Sequence, residues 1–96
     1  MAMFLILLTY VRPLDEIDRL VDDHNAYLER NYDAGRFIVS GRREPRIGGV
    51  IIAHAESVRE INATVAEDPF VREGVAEHEV IEFVPSKWAP GFEALR

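Results

Sequence analysis

Four stretches of strand composition and two of helical periodicity alternate along the chain in the order βαββαβ. This order predicts an α+β domain built on a four-stranded antiparallel sheet with two helices on one face. Three observations carry the prediction. The chain opens on a continuous apolar run of strand length, apolar residues between Ile17 and Tyr32 recur every three to four positions, and Arg36 to His54 reads as two strands joined by a basic loop. At 96 residues the chain is expected to form a single domain, 1–96, large enough for one core and small enough to gain from oligomerising.

Taken in order, Met3 to Tyr10 is apolar at almost every position, as expected of a central strand covered on both faces. Pro13 is tolerated in a first helical turn, and Asp15 and Glu16 place negative charge at the positive end of the helix dipole. The helix that follows runs to about Tyr32. Ile17, Leu20, Val21, Leu28 and Tyr32 lie on one face, and His24 falls on the same stripe, so it points toward the sheet. Gly35 supplies a left-handed stop. Arg36 to Gly41 and Gly48 to His54 are the second and third strands. Ser57-Val-Arg-Glu60 has the spacing of a capping box, and Val58, Ile61 and Val65 give the second helix its buried face. Asp68-Pro69 ends that helix, because Pro69 biases Asp68 toward an extended backbone. Asp68 then caps a short turn that ends at Gly74. Glu77 to Val84 forms the fourth strand, closed by Pro85; the tail from Ser86, with Trp88, Pro90 and Phe92, is apolar enough to be expected to pack on something.

The order is that of a ferredoxin-like split unit, in which one sheet face lacks a cover. The first strand is apolar on both sides and the third nearly so, which leaves an exposed apolar patch. A symmetric dimer packed sheet against sheet removes it.

Composition narrows the partners. The chain has 17 acidic against 11 basic side chains and a formal net charge of -6, which disfavours nucleic acid and anionic membranes and leaves small molecules or other proteins. No cysteine is present, which removes disulfides, thiolate catalysis and cysteine-based metal sites. The apolar start has no basic flank or small-residue cleavage site and is too short to span a bilayer, so a cytoplasmic protein is expected.

Asp68-Pro69-Phe70 followed by Gly74-Val75-Ala76-Glu77, together with His24, Tyr27-Leu28, Gly35-Arg36-Phe37, Ser40-Gly41 and Gly48-Gly49, resembles the YciI-like family of the dimeric α+β barrel superfamily over nearly the whole length. The resemblance places a catalytic dyad on His24 and Asp68. It implies a small enzyme without an obligatory cofactor, with lyase or dehydrohalogenase-like chemistry on small aromatic or quinol-type compounds, working as a homodimer or a larger assembly of dimers. Members commonly have Gly-Pro after the second strand; here Gly41-Arg42 stands instead, which alters the rim of the pocket.

Histidine, with an intrinsic pKa of about 6.5, can take a proton from a substrate at neutral pH. A carboxylate on its other ring nitrogen fixes the tautomer and stabilises the imidazolium. The alternative for His24 is a core histidine bonded to a backbone carbonyl, and for Asp68 a cap alone. Without a serine or cysteine nucleophile in a recognisable setting, proton abstraction with elimination or isomerisation is favoured over acyl transfer. Arg42, Arg43 and Arg46 are either a solvated loop with Glu44 as internal partner or a site for an anionic oxygen, with Arg42, nearest the strand, the residue chosen. Ser40 and Phe70 flank the pocket as hydrogen-bonding group and apolar wall. His24, His54 and His78 match no metal-ligand spacing, and no metal is expected. Tyr10, Tyr27 and Tyr32 read as packing residues. A non-catalytic ligand-binding or interaction dimer is the competing function; an oxygenase ranks last, for want of a haem motif.

Overall fold

The computed structural model describes residues 2–93. Its elements are β1 (Ala2–Tyr10), α1 (Leu14–Asp18), α2 (Val21–Asp33), β2 (Phe37–Arg42), β3 (Gly48–Ala55), α3 (Val58–Ala66), α4 (Pro69–Arg72) and β4 (Ala76–Phe83). The strands form one antiparallel sheet in the order β2-β3-β1-β4, so the most apolar stretch of the chain occupies an interior position. This is the ferredoxin-like arrangement expected from the sequence.

Strand alternation sorts side chains to two unlike faces. Phe4, Ile6 and Leu8 of β1, with Ile51 and Ala53 of β3, are buried against Tyr27 of α2 and Ile61 and Val65 of α3. Both helices therefore pack on one face. The opposite face carries Leu5, Leu7, Val50 and Ile52, with Ile81 beside Leu5 and Val39 beside Ile52 in register. Ile81 is 40% and Val39 51% exposed in the single chain, so this face is the apolar patch anticipated from the two-sided character of the first strand.

The first predicted helix is interrupted. Arg19 and Leu20 form a turn between α1 and α2, with Leu20 at φ -105 and ψ 0. Leu20 N–H bonds the Ile17 carbonyl and His24 N–H bonds the Leu20 carbonyl, so the chain bends at a turn here and a new helix starts from Leu20. Ile17 belongs to a second small cluster with Phe70, Val75 and Ala76, apart from the main core, which gives the bend its packing reason. The capping signals behave as expected: Ser57 Oγ accepts from Glu60 N–H, and Gly35 and Gly74 take positive φ, +76 and +74. Beyond β4 the described part of the tail is irregular and turns at Pro90-Gly91, with Phe92 55% exposed, so the packing expected of this segment is not made by Phe92 within one chain.

Candidate active site

Asp68 is held in an extended backbone conformation by Pro69, which turns its side chain back over the start of α4. There Oδ1 accepts the Phe70 N–H at 2.9 Å. The same oxygen lies 2.8 Å from Nδ1 of His24, which α2 delivers from its sheet-facing stripe. Cap and partner are thus one geometry. Asp68 is 1% exposed and His24 14%, and a carboxylate buried to that degree is tolerable because two donors meet it.

Phe70 does more than form a wall. Its ring stacks on the imidazole with centroids 4.0 Å apart and planes within 11°, and Tyr10 braces it edge-on at 5.8 Å. The histidine is fixed in its plane by Asp68 and across its face by Phe70. An ionised Asp68 accepts, so Nδ1 carries the proton and Nε2 is left as the basic nitrogen.

His24 and Phe70 line a cleft of about 450 Å³ between the helix layer and the ends of β1, β2 and β3. Leu8, Val21, Leu28 and Ile51 supply apolar lining, and Ser40, Arg42 and Arg46 also face it. Gly48 explains the close approach of the strands here, since a Cβ on it would sit 1.8 Å from the Leu8 carbonyl oxygen.

The basic loop divides by strand parity. Arg42 sits opposite Gly49 on the helix-facing side and Nε bonds Glu44 at 2.9 Å, so its internal partner and its place on the cleft coexist. Arg43 turns to the other face and bonds Thr9 Oγ1 at 3.0 Å, outside the cleft. Arg46 lines the cleft and pairs through Nη2 with Asp18; that hydrogen bond and charge raise the guanidinium pKa.

Residues 3–84 match the YCII-related domain. The chain belongs to the YCII-related family. Among solved structures, this YCII-related chain is similar to 5-chloro-2-hydroxyhydroquinone dehydrochlorinase (TftG) from Burkholderia phenoliruptrix AC1100, in complex with 2,5-dihydroxybenzoquinone. The TM-score is 0.71 and the identity 27%, over 93% of this chain and 95% of that one. No curated protein matches the sequence.

Of the site residues chosen from the sequence, His24, Ser40, Arg42 and Phe70 line the cleft, and Asp68 stands directly behind His24. Ser40 shares its hydroxyl with Tyr32, which ties β2 to the end of α2. Tyr27 is a packing residue, as expected: its hydroxyl donates to the Thr64 carbonyl at 2.8 Å, and burial, with the Asp68 and Glu67 charges, pushes its pKa up. Tyr10, Asn25 and Arg46 also line the cleft without having been chosen. Tyr10 shares the parity of Phe4, Ile6 and Leu8, and that signal was available in the sequence. Among the described residues no group of three or more His, Asp or Glu side chains is arranged to hold a metal ion, and no helix is long and apolar enough to cross a membrane.

Proposed function

We propose that this YCII-related protein is a small-molecule enzyme that moves a proton with a His-Asp dyad. His24 Nε2 is the general base, and Asp68 fixes the tautomer and stabilises the imidazolium. The substrate is a small hydroxylated aromatic or quinol-type compound, and the reaction is of lyase, dehydrohalogenase or isomerase type. The observation that carries this reading is the 2.8 Å contact between His24 Nδ1 and Asp68 Oδ1 behind the wall of a cleft of about 450 Å³. The activity named for the similar structure, dehydrochlorination of a chlorinated hydroquinone, belongs to the same reaction class.

In an elimination, Nε2 takes a proton from the substrate, and the electron pair left behind becomes a new double bond. The halide departs with its own bonding pair, and the imidazolium later gives its proton to water, so the net change is loss of HX. Negative charge developing on a substrate oxygen meets Arg42 and the Ser40 hydroxyl. Side chains alone complete this chemistry. The protein works as a homodimer in which the face of Leu5, Leu7, Val50, Ile52 and Ile81 is self-complementary, supported by its exposure in the single chain.

Chloride release from chlorinated hydroxyhydroquinones tests the assignment. Replacing His24 with Ala is expected to lower turnover by roughly 100-fold or more with the fold intact. Unchanged turnover removes His24 as the base. The competing reading, a binding module whose Asp68 serves only as cap, draws on the bond to Phe70 N–H and predicts that Asp68→Asn leaves ligand affinity and any activity unchanged.

A further inference from the structure

The charged side chains that line the cleft itself have a single sign. The chain carries 17 acidic residues, yet none lines the cleft, whereas Arg42 and Arg46 do. We propose that the cleft takes an aromatic carboxylate, held by its carboxylate between Arg46 and Arg42 with its reacting hydroxyl toward His24. This rests on the cleft being the substrate site of the function proposed above, and is independent of the reaction performed there.

Arg46 is presented rather than loose. Nη2 pairs with Asp18, which anchors the guanidinium from one side. A guanidinium carries five N–H donors in a planar fork, so donors remain for a second carboxylate. Asp18 lies outside the cleft lining, so the pair holds Arg46 at the cleft without Asp18 filling the space. Arg42 uses Nε for Glu44 in an exposed pair; such pairs contribute little, and a ligand carboxylate can share or displace Glu44 at small cost.

The shape of this end suits a planar group. Gly41, Gly48 and Gly49 contribute no side chains to the lining beside the two arginines. Asp18, which fixes Arg46, ends α1, and His24 lies on α2 beyond the turn at Arg19-Leu20. The cleft of about 450 Å³ that Arg46 and His24 both line has room for one ring bearing a carboxylate at one end and a hydroxyl at the other. Val21 and Leu28, both lining the cleft, supply apolar contact for the ring. A neutral diol meets the same walls but leaves Arg46 unused and engages Arg42 only as charge develops on its oxygen.

The test is equilibrium binding, by titration calorimetry or NMR shift mapping, of two probes that differ by one carboxylate: 2,5-dihydroxybenzoate and hydroquinone. The acid is expected to bind at least about tenfold more tightly, the order expected of a charge-assisted Arg–carboxylate contact. The ratio should fall toward one in Arg42→Gln/Arg46→Gln and persist in His24→Ala. A ratio near one in the unmodified protein, or a ratio that survives loss of both arginines, overturns the assignment. If hydroquinone binds and the acid has no advantage, the carboxylate site alone is wrong. If neither probe perturbs the cleft, the substrate-site assignment falls with it.

Discussion

Removing the Asp68 carboxylate should reveal two separable contributions, because one oxygen accepts from both the Phe70 N–H and His24 Nδ1. Asp68→Ala deletes both bonds. Loss of a helix cap costs about 1 kcal/mol, and loss of a hydrogen bond to a charged group about 1.5–3 kcal/mol, so the expected destabilisation is about 3 kcal/mol. For a chain of this size that is roughly 15 °C in Tm. Asp68→Asn keeps a carbonyl oxygen for the Phe70 N–H and loses only the charge, for an expected cost of about 1 kcal/mol. The assay is urea unfolding followed by far-ultraviolet circular dichroism, at pH 7 and one fixed protein concentration, since any subunit association adds to stability. His24→Ala should fall between the two, because it spares the cap. An Ala variant less than about 0.5 kcal/mol below wild type, or an Asn variant as damaged as Ala, would refute this division of roles.

Tyr27→Phe should cost about 1 kcal/mol at neutral pH by removing the buried hydroxyl bond to the Thr64 carbonyl, which keeps only the Glu67 N–H. It should also flatten the alkaline limb of the stability curve. The native state keeps the Tyr27 proton above about pH 10, where the unfolded phenol gives it up, so folded protein binds more protons and wild-type stability falls as pH rises past that point. Unfolding series at several pH values check the slope. Gly48→Ala should lower stability by about 3 kcal/mol or more, or prevent folding, because its Cβ would meet the Leu8 carbonyl at 1.8 Å; thermal melts measure this. Leu5→Glu with Ile52→Glu places charges at the centre of the open sheet face and, on the proposed homodimer, should shift sedimentation from dimer to monomer.

The sheet was legible because burial on two faces and burial on one leave different patterns. Met3 to Tyr10 reads as an interior strand, and β1 indeed lies between β3 and β4. His24 was legible from the helical stripe, and Asp68 from the proline after it, but cap and partner looked like alternatives. They are not, since one carboxylate oxygen can accept two bonds. The bend at Leu20 was hidden because the apolar spacing continues through it, and only the separate cluster of Ile17 with Phe70, Val75 and Ala76 accounts for the change of direction. Arg42 was chosen over Arg46 for its nearness to the strand. Both line the cleft, because Arg46 is brought back by Asp18, a partner 28 positions away that no local pattern announces. The stacking of Phe70 on His24 was likewise a tertiary fact.

The most direct measurement is the ¹⁵N imidazole spectrum of His24 in wild type and in Asp68→Asn, at a pH where the ring is neutral. With the carboxylate 2.8 Å from Nδ1, the account predicts a single tautomer in wild type, protonated at Nδ1 and bare at Nε2, and a mixture in the variant with the fold retained. A wild-type His24 protonated at Nε2, or a tautomer indifferent to the loss of the Asp68 charge, would contradict Asp68 as the group that readies His24 to take a proton.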